Sequence, residues 1–201
     1  MVQVPSDRWI LFADGPQMGP AILFWSWIPV ILLLSFGLGK LSLTPLRMGH
    51  WFLLLLGLSQ ADILSNAVII ACLLAFGWRG ANAKKITDGR LLNLIQVLLV
   101  FLALMSIRTL FASISMGLLG SPDMHVVGSE SYGNQLHWYQ DITAALLPQP
   151  VVISVSIWVY RILMLLWSLW LAFSLVRWLS WGWKSFTENG YWYKKEKTTQ
   201  G

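Results

Sequence analysis

Four apolar runs, each long enough to cross a lipid bilayer, dominate the chain. They cover residues 19–39, 51–78, 91–119 and 151–178, and a transmembrane helix takes about 20 apolar residues. Lipid offers the backbone no hydrogen-bond partner, so a spanning segment closes its bonds internally as a helix. No period-2 alternation extends over strand length. The sequence therefore predicts an all-α fold, a multi-pass transmembrane helical bundle that forms a single integral membrane domain over residues 1–201.

The composition supports a membrane protein. Hydrophobic residues make up 56% of the chain and charged residues only 11%, whereas a soluble domain carries about 25% charged residues. The chain contains 13 Trp, a residue that concentrates at the bilayer interface. The net charge of +5 comes from basic residues at the ends of the apolar runs. This placement indicates orientation in a membrane and contact with anionic lipid, and it disfavours nucleic acid as a partner.

The loop charges predict an orientation. Residues 79–90 hold four basic residues and one acid, and residues 120–150 hold no Lys or Arg. The tail over residues 179–201 is basic and aromatic. With four spans, the positive-inside rule places both termini in the cytoplasm and loop 120–150 outside it.

A second topology competes with the four-span arrangement. If the run over residues 51–78 is a re-entrant hairpin that turns near "SQAD", both basic loops and the tail are cytoplasmic and the N-terminus is outside. Irregular backbone at that depth is tolerated only where protein buries it. The single tilted helix is the preferred interpretation, and the hairpin is its alternative.

Three charged residues fall inside the apolar runs: Asp62, Arg108 and Arg161. They lie 17, 18 and 16 residues from Arg79, Arg90 and Arg177, or about 24–27 Å from one boundary at ~1.5 Å per residue. A charge at such depth is unfavourable unless it is paired. The common level predicts an intramembrane ion-pair cluster that fixes helix packing. An ion or proton pathway through Asp62 is the functional alternative.

Polar side chains accompany these charges at helical spacing, as expected where membrane helices pack closely and hydrogen-bond. The predicted supporting face consists of Ser59, Asn66, Gln96, Ser106, Ser154 and Ser168.

The segment over residues 120–150 is the only long polar loop, and residues 133–147 have the pattern of a short interfacial helix. His137 and Asp141 lie four positions apart, and Asp123 and His125 add two further groups to a candidate outer-loop site. A metal site takes three or four convergent ligands, and no HExxH-type spacing occurs. We therefore expect no metal and no cofactor, and we regard a solvated loop as the better interpretation.

Several strings carry a resemblance to the C-terminal membrane portion of large, uncharacterised bacterial envelope proteins of the inner membrane. These strings are "DGPQMGPA", "TPLRMGHWFLLLLGLSQ", "GWRG", "GSPDMHVVGSESYGNQLHWYQD" and "YRILMLLWSLWLAFSLVRWLSWGW". The resemblance implies that an extracytoplasmic region precedes Val2 and places the N-terminus outside, as in the hairpin topology. It transfers no catalytic residue.

These patterns predict a non-enzymatic inner-membrane protein that acts as an anchor or assembly module for a larger envelope complex. Its expected partners are the lipid bilayer and other membrane subunits or an extracytoplasmic domain. A small transporter or channel component that uses Asp62 is the second hypothesis. A membrane-embedded enzyme with a His/Asp site at the outer surface is the third.

Overall fold

The fold is mostly helical. A computed structural model describes residues 2–15, 19–84, 89–138, 149–188 and 190. The helical content is 64%, in five α-helices within these ranges. Three of them are long and apolar enough to cross a membrane. The prediction of a helical membrane protein is confirmed at this level, and four spans are not confirmed.

The helices follow the apolar runs but not their predicted bounds. The three long ones are α3, α4 and α5, whereas α1 and α2 are shorter and also apolar. Their ranges are α1 Phe24–Lys40, α2 Met48–Leu58, α3 Ile63–Ala81, α4 Gly89–Leu119 and α5 Ile157–Thr187.

The second apolar run is not one helix. It divides into α2 and α3, which are separated by Ser59–Asp62. The prediction of a single helix over residues 51–78 is therefore wrong, and the break falls at the "SQAD" turn of the alternative. The physical reason is local. Ser59 and Asp62 hydrogen-bond to nearby backbone groups, and this competes with continuation of a helix.

Six short strands form the rest of the described regular structure, and the sequence reading did not predict them. They form three antiparallel pairs: β1 (Val2–Gln3) with β5 (Gln135–Leu136), β2 (Arg8–Asp14) with β6 (Val151–Ser156), and β3 (Ala21–Ile22) with β4 (Val126–Val127). β6 occupies the first residues of the predicted fourth span. Its Val and Ile residues favour an extended backbone, and β2 provides the pairing partner.

The predicted interfacial helix over residues 133–147 is not supported by its described part. Gln135 and Leu136 form β5, and Tyr132 pairs with Gln135 across the turn between them. Residues 139–148 of the predicted helix lie outside the described ranges.

The strands place the N-terminal segment and the segment before α5 at the same end of the bundle, here called the strand end. β2 pairs with β6, which leads directly into α5, and β3 pairs with β4 between the start of α1 and the end of α4. The last turn of α5 lies at the opposite end, the basic end, beside the end of α3. The N-terminus and the end of α5 therefore lie at opposite ends. The predicted four-span topology needs them on the same side, so it is not the arrangement found.

The main core joins the helices, and a smaller core joins the strands. Trp51, Leu54 and Leu58 of α2 are fully buried against Trp167 and Leu171 of α5. The smaller core consists of Val4, Ile10 and Leu136. In contrast, the outward faces of α4 and α5 are covered with exposed apolar side chains, as expected for helices that face lipid.

Candidate functional site

The break between α2 and α3 is a capped turn. The Ser59 hydroxyl donates to the Leu56 carbonyl at 2.7 Å, and the Ala61 N–H donates to the Leu58 carbonyl at 2.9 Å. Asp62 is the N-cap of α3, and its carboxylate accepts from the Ser65 N–H at 3.0 Å and the Ser65 hydroxyl at 2.5 Å. The end of α2 and the start of α3 thus obtain hydrogen bonds that an unbroken helix would have formed itself.

Gln60 ties this break to the strand end. Its side-chain amide donates to the Asp123 carbonyl at 3.4 Å, and its amide oxygen accepts from the Asp123 N–H at 2.8 Å. The Gln60 amide therefore pairs with the Asp123 backbone as a neighbouring strand would. This double contact connects the turn of the α2–α3 hairpin to the segment that follows α4.

The break lies at depth along the bundle. The Trp167 indole N–H donates to the Leu53 carbonyl of α2 at 2.8 Å, and the same ring covers Gly57. Trp167 is nine residues into α5 from the exposed Trp158, or about 14 Å along the axis. Exposed Trp residues mark bilayer interfaces. Measured from Trp158, Gly57 therefore lies about 14 Å along the bundle, which is almost half of a hydrocarbon core of about 30 Å.

Asp62 does not form the predicted ion pair. Within the described residues its carboxylate is exposed and hydrogen-bonded to Ser65, and no ion pair joins it to Arg108 or Arg161. Asp62 therefore caps α3 in the described chain and is not part of the predicted ion-pair cluster. A short carboxylate beside free N–H groups at a helix start is one of the commonest caps, and it also complements the helix dipole.

Arg161 lies near the strand end of the bundle. It is four residues into α5, half-buried, with its guanidinium 5.4 Å from the centre of the Trp158 ring. The predicted depth assumed that Arg79 and Arg177 mark the same boundary. In the structure, however, Gly80 packs against Ser185, and α5 continues ten residues beyond Arg177 to Thr187. Arg161 is therefore closer to the strand end than predicted.

Arg108 lies deep and faces outward. It lies nine residues from Gly117, which packs against Met164, and twelve from Gln96, whose amide reaches the Phe186 carbonyl. These separations correspond to about 14 Å and 18 Å along α4. Its side chain is exposed and has no hydrogen bond or ion pair among the described residues. A lone Arg at such depth is unfavourable by ~2.5–3.5 kcal/mol or more.

The predicted polar face is divided between different roles. The Ser106 hydroxyl lies 3.4 Å from the Val68 carbonyl and joins α4 to α3, whereas Ser168 bonds to Leu165 in its own helix. The side-chain oxygen of Asn66 is buried and has no described partner. Ser154 lies in β6, so it is not on a helix face as predicted.

Arg79 and Gln96 form a polar clamp at the basic end. Gln96 was predicted as part of the supporting polar face, whereas the role of Arg79 was missed by sequence reasoning. Arg79 is fully buried and donates to the Glu188 carbonyl at 2.8 Å, and Gln96 donates to the Phe186 carbonyl at 3.1 Å. Both acceptors lie at the C-terminal end of α5, where carbonyl groups are left free and the helix dipole is negative. The clamp thus joins α3, α4 and α5. An Arg at the end of an apolar run is so common that this one carried no distinguishing signal.

The outer-loop residues do not converge in the described ranges. His125 Nδ1 lies 3.4 Å from Asp123 Oδ2, and the His125 N–H donates to Asp123 Oδ1 at 2.8 Å. The His137 N–H donates instead to the Ser131 hydroxyl, and Asp141 lies outside the described residues. No group of three or more metal-ligand side chains occurs in the part of the chain that is described.

Comparison with known proteins adds no family or homologue. The chain matches no protein-family model, no curated protein sequence and no solved structure at a significant level. The functional conclusion therefore depends on the geometry of this chain.

Proposed function

We propose that this protein is a non-enzymatic anchor or assembly module of the bacterial inner membrane. It holds the three strand pairs formed by β1 to β6, here called the β-layer, outside the cytoplasm in a fixed position on a lipid-embedded helical bundle. The observation that carries the proposal is the set of contacts between the segment around β2 and the start of α5, here called the joint. The Trp9 ring packs edge-on against Tyr160 at 5.4 Å, and its indole N–H contacts the Met124 sulfur at 2.9 Å. The Ile157 N–H also donates to the Asp7 carbonyl at 2.9 Å.

The joint extends to α1. The N–H groups of Leu23 and Phe24 donate to the carbonyls of His125 and Met124, each at 3.3 Å. The start of α1, the start of α5 and the segment after α4 therefore all bind the same β-layer. A flexible tether would need none of these contacts, so the arrangement favours a layer that is presented in one orientation to a partner.

Charge distribution supports an orientation for the anchor. The strand end carries the acids Asp7, Asp14, Asp123 and Glu130 against the described bases Arg8 and, one turn into α5, Arg161. The basic end carries the cations Lys40, Arg47, Arg79, Lys84, Arg90 and Lys184. The positive-inside rule then places the strand end outside the cytoplasm. In this topology α1, whose 17 residues are close to the minimum for a span, crosses the membrane together with α4 and α5. α3 is also long enough to cross, but here it forms a hairpin with α2 that enters and returns from the cytoplasmic side.

This topology predicts that Ser6 and Lys84 lie on opposite sides of the membrane. Both residues are exposed, and the native Cys72 is buried. In a Cys72→Ala background, we expect Ser6→Cys to react with a membrane-impermeant maleimide in intact spheroplasts. Lys84→Cys should react only after the membrane is permeabilised. Labelling of both positions from the same side would contradict the topology.

The assembly role is tested by photo-crosslinking in native membranes. Phe12 of β2 and Ile153 of β6 form an exposed cross-strand pair at the strand end. A photoreactive amino acid at Phe12 should give protein adducts, because this apolar pair faces the proposed partner. The same probe at Leu166, an exposed residue within α5, serves as the lipid-facing control and should give lipid adducts. A lack of protein adducts at Phe12, together with Asp62-dependent ion flux in liposomes, would favour the transport hypothesis.

A further inference from the structure

A groove opens between α3, α4 and α5 in the half of the bundle nearer the basic end. α4 and α5 are antiparallel and touch at two levels, where Gly117 packs against Met164 and where Gln96 donates to the Phe186 carbonyl. Between these contacts the three helices leave a cavity of about 270 Å³. α4 and α5 form its walls and α3 forms its floor.

The groove is apolar and opens toward lipid. The side chains of Leu104 on α4 and Leu179 on α5 line it and are 62% and 61% exposed, whereas Ile69 on its floor is buried. Ser106 supplies the one hydroxyl among the described lining residues, and this hydroxyl already contacts the Val68 carbonyl. An apolar cavity does not hold water. Because its open side faces the bilayer, hydrocarbon is the material that can fill it and restore the missing van der Waals contacts.

The groove is long and narrow. On α5 it extends from Leu175 to Phe186, which are 11 residues apart, or about 16 Å along the axis. Its deep end, at Leu175, is 17 residues from Trp158, or about 25 Å, and this is past the middle of a hydrocarbon core of about 30 Å. Trp183 lines the other end, as expected at a bilayer interface. The groove therefore runs from the interface at the basic end into the hydrocarbon, which is the path of one extended acyl chain.

Two cations flank the interfacial end of the groove. Lys184 follows Trp183 and is exposed. Arg90 is also exposed, and it lies six residues before Gln96, about 9 Å beyond the end of the groove. Arg90 and Leu104 are 14 residues apart, almost four full turns, so they lie on the same side of α4. The headgroup region adds about 5–8 Å on each side of the hydrocarbon core, so both cations lie near the level of a lipid phosphate.

We propose that this groove is a lipid-binding site that retains one anionic phospholipid, with an acyl chain between α4 and α5 and the headgroup beside Arg90 and Lys184. The chain contacts three helices there instead of the surface of one, and charge complementarity favours an anionic headgroup over a neutral one. The bound chain also fills the space that separates α4 from α5. The inference goes beyond the anchor function, and only the naming of the leaflet as cytoplasmic rests on the proposed orientation.

A larger side chain in the groove tests the site. Gly182 lines the groove, and a carbon added there meets only Phe76, at an ordinary contact distance of 3.9 Å. Gly182→Leu should therefore fold normally and occupy the space of the acyl chain. The wild type, taken from nanodiscs that contain equal amounts of phosphatidylglycerol and phosphatidylethanolamine, should carry one phosphatidylglycerol in native mass spectrometry. Gly182→Leu should retain about tenfold less. Gly37→Leu, where the added carbon meets nothing within 4 Å, is the matched control on α1 and should retain the lipid.

The headgroup is tested by charge removal that leaves the groove open. Arg90→Gln combined with Lys184→Gln should lower the retained ratio of phosphatidylglycerol to phosphatidylethanolamine by about tenfold. Lys40→Gln combined with Arg47→Gln removes two cations of the same end from α1 and the start of α2, and this control should keep the ratio of the wild type.

The proposal is overturned if the wild type retains no lipid or if Gly182→Leu retains as much as Gly37→Leu. Equal ratios in the two charge variants would also overturn it, because the headgroup would then not be recognised at Arg90 and Lys184. These measurements do not involve the strand end. The anchor function, tested by photo-crosslinking at Phe12, can therefore stand or fail independently of the lipid site.

Discussion

Replacement of Gly57 by Leu should prevent stable packing of the α2–α3 hairpin. Any side chain at Gly57 meets the Trp167 ring, which is held in place by its hydrogen bond to the Leu53 carbonyl. Overpacking of this kind is destabilising by about 3 kcal/mol. In a chain of this length that corresponds to a decrease in Tm of about 6–12 °C, measured by tryptophan fluorescence during thermal unfolding in detergent.

The matched control for this substitution lies on the same helix. Gly49→Leu introduces the same side chain one residue into α2, where nothing lies within 4 Å of the added carbon. Its Tm should remain close to that of the wild type. Similar Tm values for the two variants would show that Trp167 does not hold the hairpin, and the proposed depth of the break would lose its main support.

Replacement of Trp9 by Ala should loosen the β-layer from the bundle. The substitution removes the edge-on contact with Tyr160 and the contact with the Met124 sulfur. Fully buried aromatic residues contribute about 3–5 kcal/mol, and the half-buried Trp9 should contribute about 2–3 kcal/mol on the same scale. Because β2 begins at Arg8, faster tryptic cleavage after Arg8 gives a direct measure of the detachment.

Phe12→Ala is the control on the same strand. Phe12 is 48% exposed and belongs to neither hydrophobic core, so its removal should leave the rate of cleavage after Arg8 unchanged. The two variants also separate stability from assembly. Trp9→Ala should affect the stability of the layer itself, whereas Phe12→Ala should reduce only the protein adducts formed by a photoreactive residue at the neighbouring Ile153. An unchanged cleavage rate in Trp9→Ala would mean that Trp9 does not join the layer to the bundle.

The position of the hairpin break was accessible from local sequence, but its preference over a continuous helix was not. Ser59, Gln60 and Asp62 are polar residues with strong turn and cap tendencies inside an apolar run. Many transmembrane helices tolerate such residues. The decisive contacts come from Asp123 and Trp167, which are 63 and 114 residues away from their partners. No local pattern encodes partners at such separations.

For the charged residues, too, one part of the outcome was readable from the sequence and another part was not. Their presence inside the apolar runs was evident, and the need for a partner followed from the low polarity of lipid. The count placed Arg161 too deep, because it assumed that Arg79 and Arg177 end their helices at the same level. The packing of Gly80 against Ser185 sets a different alignment. Likewise, Arg79 joins α3 to α5 only because the Glu188 carbonyl, just after the last turn of α5, lies beside it.

The sequence by itself determined that this chain is helical and embedded in lipid, because long apolar runs leave the backbone no other way to satisfy its hydrogen bonds. Only the tertiary structure decided that the N-terminal segment pairs with residues 151–156, that the second run folds back on itself, and that Asp62 caps a helix. Burial preference is a property of each residue and is readable along the chain. Strand pairing and helix alignment depend on contacts between distant segments, and these are established only when the chain is folded.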